Sequence, residues 1–389
     1  MRRLIVDKRP DWERKVTSQG LLYHTAGGIP YWDEGACYAF TPGQVDRVER
    51  VTAELWEMCL AAAQHVIEHN RYAELGVPPA AIPLVEASWE AEPPAVYSRF
   101  DFSWDGYDEP KLLELNADTP TSLLECAAIQ WLWLEDVFPG FDQFNSLEPK
   151  LVAKWKELIG GKYLYPGAVH FAHDGSVEDR MTVGYMMKVA LDAANELGVR
   201  LDAVELRMDQ IGWNAYRRRF EDLSDQPIVN VFKLYPWETM VSQTFGEHLQ
   251  ATSRQMHWIE PAWKVLLTNK GLLAVLWEMF PGHPNLPPAY LGDARGMRDY
   301  ARKPCYSREG ANVQLVRGGC VLEKSGGTWG SGTHVYQGLA LLPSFDGQHP
   351  VVGSWVVDGD PAGVGIRESG GFITDDVSRF VPHFIDETE

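Results

Sequence analysis

Residues 97–125 read YSRFDFSWDGYDEPKLLELNADTPTSLLE, and the alternation inside this stretch decides how the rest of the chain is understood. Successive strand side chains point to opposite faces, so in Ser98-Arg99-Phe100-Asp101-Phe102 the charged pair shares one face and the two phenylalanines the other. A turn at Asp105-Gly106-Tyr107-Asp108-Glu109-Pro110 follows. Lys111-Leu112-Leu113-Glu114-Leu115-Asn116 then alternates again, with Glu114 and Asn116 on one side and Leu113 and Leu115 on the other. Two adjacent strands therefore offer Asp101, Glu114 and Asn116 beside Arg99. Hard oxygen donors suit Mg2+, and an Arg next to them suits the charge of a transferring phosphoryl group. The same alternation fits a hairpin with one solvated face, on which Arg99 and Asp101 simply pair.

Composition bounds the reading from outside. At 389 residues, 45% apolar and 23% charged, the chain is long enough for two or three packed regions of a globular protein. Its 54 acids against 35 Lys and Arg give a net charge of -19, which repels nucleic acid and anionic membrane and attracts cationic small molecules. Five widely spaced cysteines without a CxxC suggest neither a disulfide framework nor a zinc site, so the expected compartment is the cytoplasm. The N-terminal MRRLIVDKRPDWERK has no apolar run behind its charges, and no stretch approaches the roughly 20 apolar residues that a spanning helix needs.

Along the chain, residues 17–40 are rich in Gly and aromatics without a sustained period and read as a connecting region. Thr41-Pro42 opens a helix whose apolar positions run from Val45 to Val66 and which ends near Asn70. Pro and Ala between Pro78 and Pro94 read as a loop, and Ser122 to Leu134 as a helix whose first N–H groups face whatever the hairpin holds. Residues 168–172, 179–197 and 201–206 form a strand-helix-strand unit, and Ile228–Lys233 adds a strand, so 150–260 reads as a small doubly wound α/β domain. Lys303 precedes a polar loop, Ser307 to Asn312, between two strands; it reads either as a phosphate clamp or as an exposed hairpin turn. The Gly-rich 325–332, SGGTWGSG, reads as a turn, since no helix follows it. Scattered histidines lack metalloprotease spacing, and fifteen tryptophans without a basic stripe do not form a nucleic-acid platform.

Taken in order, RFDF (99–102), ELNADTPTSLLE (114–125), EPAWKVLLTNK (260–270), Lys303-Pro304 before a polar loop, VYQGLALLP (335–343) and GVGIRES (363–369) resemble the synthetase part of the glutathionylspermidine synthase family. These are ATP-grasp acid-amine ligases, and the resemblance is to shorter members that lack the amidase domain. It implies an α/β (α+β) architecture: a circularly permuted ATP-grasp fold with an inserted pre-ATP-grasp-like α/β domain. Residues 1–149 would be the metal-binding half, 150–260 the inserted substrate domain, and 261–389 the nucleotide-binding lid and C-terminal core. The permutation accounts for lysines that follow the metal residues rather than precede them.

The resemblance also implies roles. Arg99 matches the Arg that stabilises the transferring phosphoryl group, and Asp101, Glu114 and Asn116 match the Mg2+ ligands. Lys270 and Lys303 match two ATP-binding lysines; Ser307, Arg308, Glu309 and Gly310 the lid over the phosphates; Gln337, Gly338 and Leu339 the adenine-side connector; and Phe372, Ile373 and Thr374 a late nucleotide contact. Thr119, Glu178, Asp179 and Arg367 fall where the family binds its peptide and amine substrates. Two positions depart from the pattern. The polar residue after the Lys of the family's W-K-T-W-A-W-E stretch is Leu234 in FKLYPWET, which leaves glutathione itself unsupported as the acid. A redox-active Cys is replaced by Ser122, which removes one regulatory handle.

The expectation is an ATP- and Mg2+-dependent ligase joining a peptide-like carboxylate to an amine or polyamine, with no nucleic-acid or membrane partner. The alternatives are a nucleotide-binding partner protein with weak or no catalysis and a kinase acting on a small acid.

Overall fold

The computed structural model describes residues 1–161, 163–329, 332–375 and 378–388, so Gly330 and Ser331 of the Gly-rich turn lie outside the described residues. The architecture is mixed α/β, with several sheets. At its centre an antiparallel five-stranded sheet runs in the order 379–381, 360–369, 349–357, 97–103, 111–116. Its strands come from both ends of the chain. Phe100 and Phe102 point to the face covered by the helix Pro42–Glu68 and join its Val48, Val51 and Leu55 in one apolar core. That helix begins with a capping box: Thr41 Oγ1 accepts from the Gln44 N–H, and Gln44 Oε1 from the Thr41 N–H.

A second sheet is wholly parallel, in the order 257–259, 230–233, 169–173, 203–207, with the helix Val177–Glu196 as crossover and the helix Leu147–Gly160 beside it. A third, antiparallel, runs 289–291, 334–338, 300–304, 314–317, 320–324 and carries Lys303. A small sheet joins residues 2–5, 36–40 and 383–385.

Three local expectations change. Ala36–Phe40, read as connector, is a strand with all five residues buried; a strand covered on both faces shows no alternation. Within the expected loop 78–94 lies a helix, Ile82–Ala91; Pro83 falls in its first turn, where a missing N–H costs nothing, and Leu84 and Val85 are buried. The helix after the hairpin begins irregularly, with a π-helical segment Glu125–Ile129 before the regular Gln130–Val137. Side-chain amides of Gln130 and Asn145 donate to the Cys126 carbonyl, and Asn145 also reaches that of Ala127. The wide turn is thereby satisfied from outside. Among the described residues no helix is long and apolar enough to cross a membrane, and all five cysteines are free.

Candidate active site

The hairpin brings its polar residues together by register. Arg99 lies opposite Asn116, and Asp101 opposite Glu114. Asn116 Nδ2 is 3.2 Å from Glu114 Oε1 and 3.4 Å from Asp101 Oδ2. Arg99 and Asp101 do pair, Nε to Oδ1 at 2.7 Å, yet their face is not solvated: they are 5% and 3% exposed. Arg99 also donates to the Thr121 carbonyl at 2.6 Å, and Arg367 reaches Asp101 Oδ2 at 2.9 Å from strand 360–369, across the intervening strand 349–357.

The register slips after Asp101, so that Phe102 faces Leu112 and Leu113 is the extra residue of a bulge. Its carbonyl accepts from Lys303 Nζ at 2.9 Å, and Gln337 Oε1 accepts from the same ammonium at 2.8 Å. Lys270 Nζ donates to the Ser307 carbonyl at 2.7 Å and sits 3.1 Å from Glu114 Oε2. Burial lowers the Lys303 ammonium to about 8 against the partial restoring pull of Glu114. Burial alone would raise the Glu114 carboxyl, but Lys270 and Lys303 overcome it and hold the group down at about 2. Two lysines thus bear on the Glu114 carboxylate at one point.

That point lies in a cleft of about 360 Å³. One end is apolar, lined by Ala301, Val313, Leu315, Leu342, Val351 and Phe372, which suits a flat heterocycle. Over its middle lies the loop Ser307–Gly310. Glu323 holds the facing segment by accepting from the N–H groups of Phe372 and Ile373 at 2.9 and 3.2 Å. The other end is acidic, with Asp174, Glu178, Asp179 and Glu238 on its wall. Ser176 caps the helix 177–196 there by accepting from the Asp179 N–H. Burial, reinforced by Asp174 and Glu178, pushes the Asp179 carboxyl up to about 8. Arg308 crosses toward this wall, donating to Thr119 Oγ1 at 2.8 Å, with Glu238 3.5 Å away.

The residues singled out in the sequence converge on this cleft, except two. Lys270 stands behind the lining, in contact with Glu114 and Ser307, and Leu339 packs against the small apolar cluster of Ala301, Val313 and Leu315. Arg308, expected over phosphates, is turned toward Thr119 and Glu238. Sequence reasoning missed Asp174, Ser176 and Glu238. The last follows Trp237 in the very stretch that departs at Leu234.

Asp101, Glu114 and Asn116 bring a set of hard oxygens to the cleft lining, with the Asn116 amide between the two carboxylates and Arg99, Arg367 and Lys270 balancing their charge. These residues fit a Mg2+ ion. Among the described residues no group of three or more His, Cys, Asp or Glu side chains is arranged to hold a metal ion.

Residues 3–386 match a family model described as glutathionylspermidine synthase preATP-grasp. Over 399 residues the chain is 37% identical to a Haemophilus influenzae protein provisionally called an acid-amine ligase, with 97% of each covered. It is 29% identical over 346 residues to the trypanothione synthetase of Crithidia fasciculata, covering 81% of this chain and 51% of that one. Against the bifunctional glutathionylspermidine synthetase/amidase of Escherichia coli the identity is 26% over 385 residues, and the chain spans 60% of that protein's length. Among solved structures, a glutathione synthetase-like effector from Globodera pallida superposes with a TM-score of 0.58 at 10% identity, over 97% of this chain and 96% of its own, a likeness of fold.

Proposed function

Since the chain belongs to the glutathionylspermidine synthase family, we propose that it is an ATP- and Mg2+-dependent ligase that joins a small or peptide-like carboxylate to an amine. The observation that carries this reading is the polarity of the cleft: buried Lys270 and Lys303 against Glu114 beside the apolar end, Arg99 and Arg367 next to them, and carboxylates at the other end. Anionic and cationic reactants would be drawn to opposite ends and meet at the arginines.

MgATP supplies the phosphoryl group that turns an unreactive carboxylate into an acyl phosphate; the amine nitrogen then bonds to the acyl carbon as phosphate leaves. In this reading Asp101, Glu114 and Asn116 hold the metal, and Lys270 and Lys303 neutralise nucleotide phosphates. Ser307, Arg308, Glu309 and Gly310 close over them, and Gln337, Gly338, Leu339, Phe372, Ile373 and Thr374 bound the nucleotide. Arg99 steadies the transferring group, because its guanidinium is fixed on Asp101 and the Thr121 carbonyl before substrate arrives. Thr119, Glu178, Asp179 and Arg367 bind the acid and the amine. The enclosing lid keeps water from the acyl phosphate. We take 1–149 and 261–389 as the two halves of a circularly permuted ATP-grasp core, which share the central sheet, and 150–260 as the inserted substrate domain.

The test is ADP release by purified protein with MgATP against glutathione and short peptides crossed with spermidine, putrescine and simple monoamines. Release that needs one acid and one amine together supports the ligase. Release with an acid alone sinks it in favour of a kinase, and saturable ATP binding with no release favours a nucleotide-binding partner.

A further inference from the structure

Glu238 is a buried carboxylate in the cleft that the chemistry above does not use. Its side chain is 10% exposed, it lines the cleft, and its Oε2 makes no hydrogen bond among the described residues. One neighbouring cation is committed elsewhere, and the other is shared. Lys233 Nζ is held at 2.6 Å by Asp118 and at 2.8 Å by the Tyr235 carbonyl. Arg308 donates to Thr119 and stands 3.5 Å from the other Glu238 oxygen. A buried carboxylate without a dedicated partner is costly, and removing that cost takes either a proton or an incoming cation.

The position of Glu238 is fixed with some care. It sits in the short helix Trp237–Met240, whose first residue is pinned twice: the Trp237 N–H donates to Asp118 Oδ2 at 2.9 Å, and Nε1 to the Glu260 carbonyl at 3.0 Å. Lys233 lies over the Trp237 ring at 4.9 Å. Asp118 follows directly on the Asn116-Ala117 end of the hairpin, so Glu238 is held in register with the site itself. Across from it, Ser307 Oγ and Arg308 Nε also lack hydrogen-bond partners among the described residues. These three buried polar atoms border one cleft and are placed to meet a polar group that enters it.

We propose that Glu238 is a specificity-determining socket for a substrate ammonium group remote from the reacting atoms, separated by Arg308 from the carboxylates at Asp179. Such a group could sit on the amine, as the second ammonium of a diamine, or on the acid, as a free amino group. The inference rests on the ligase reading only for the choice of substrates.

The test pairs putrescine with 1-aminobutane, and glutathione with its N-acetyl derivative. Each is titrated calorimetrically into the intact protein with a non-hydrolysable MgATP analogue and then compared by ADP release. The wild type should bind the member with the additional ammonium group, in at least one pair, ten times or more tightly than the other. Glu238→Gln, nearly isosteric, should lose that preference while binding the analogue normally, and Glu238→Asp should keep part of it. The pair affected tells whether the socket serves the amine or the acid. A wild type that does not discriminate within either pair, or a preference that survives in Glu238→Gln, overturns the proposal. Selective binding without ADP release would leave the socket standing and remove the ligase reading; ADP release with unchanged selectivity would do the reverse.

Discussion

Lys270 Nζ lies 3.1 Å from Glu114 Oε2, so a lysine near the start of the last third of the chain and a strand residue of the first third form one charged contact in the cleft. Each needs the other. Without the carboxylate the buried ammonium would keep only the Ser307 carbonyl, and without the lysine only Lys303 and Asn116 would oppose the upward push of burial on Glu114. Glu114→Ala is expected to weaken Mg2+-dependent nucleotide binding at least about tenfold, about 1.4 kcal/mol. Calorimetry with and without EDTA reads this, and an unchanged Mg2+-dependent component would remove Glu114 from the metal set.

Arg99 is anchored on Asp101 and the Thr121 carbonyl before any substrate arrives, as the transition-state role proposed for it requires. Arg99→Ala should lower kcat on the order of a hundredfold or more, in the range of a lost preorganised donor, with a smaller change in the KM for ATP. Arg99→Lys should not restore it, since a single ammonium cannot span Asp101 and the Thr121 carbonyl as the guanidinium fork does. Full turnover by either variant would contradict the role.

Lys303 sets a pH limit on the free protein. Its proton leaves near pH 8, so above that value the side chain is neutral and attracts phosphate less. Nucleotide affinity should therefore fall as pH rises through about 8. Lys303→Arg, which stays charged, should flatten the decline even if its absolute affinity is lower. A wild-type profile flat from pH 7 to 9 would contradict the assignment.

Gly310 is the lid residue with the least freedom to change. Its φ is +66°, and a Cβ there would overlap the Thr374 carbonyl oxygen and crowd Ile373. Gly310→Ala should prevent the loop from seating on 372–374. The expected result is a raised KM for ATP and faster proteolysis within 307–312, at little cost to the global melting temperature.

How much of this was legible follows from distance along the chain. The hairpin could be read because a period of two places Arg99, Asp101, Glu114 and Asn116 on one face whatever surrounds them. The bulge at Leu113 could not, because nothing in KLLELN says which residue goes unpaired, yet that bulge frees the carbonyl which takes Lys303. Lys270 stood out only through resemblance to a family, and Lys303 otherwise only as a lysine before a polar loop that an exposed turn explains equally, since the partners of both are remote in sequence. The strand 36–40 was hidden by burial on both faces, and the helix 82–91 by a proline that its first turn tolerates. Glu238 was invisible for a further reason: its place depends on Asp118 and Lys233, which look unremarkable until the fold buries them together.

That pair carries its own test. The side chains of Asp118 and Lys233 are fully buried, and Asp118 also receives the Trp237 N–H. Asp118→Asn would leave Lys233 charged without a carboxylate, so the fold should lose roughly 3–5 kcal/mol, seen as a lowered melting temperature. Lys233→Met together with Asp118→Asn should recover much of the loss, because no isolated charge remains. A double variant no more stable than Asp118→Asn would mean that the pair matters through Trp237 alone.

Asp179 links the acidic wall to pH. Its carboxyl ordinarily titrates near 3.8 but is pushed up to about 8 here by burial and by Asp174 and Glu178, with Arg308 opposing. In the folded protein it is therefore protonated below about 8, whereas the unfolded chain ionises above 3.8. Folding takes up a proton between those values, and this group's contribution to stability is greatest below 3.8 and declines as pH rises toward 8. An arriving ammonium reverses the balance by favouring the carboxylate. Amine binding at pH 7 should thus release a proton, seen as a calorimetric enthalpy that changes with the ionisation heat of the buffer, and the KM for amine should fall as pH rises to about 8. Asp179→Asn should abolish the proton release and flatten the profile. If the amine still releases a proton from that variant, the titrating group lies elsewhere on the wall, and Asp179 is not where the cation binds.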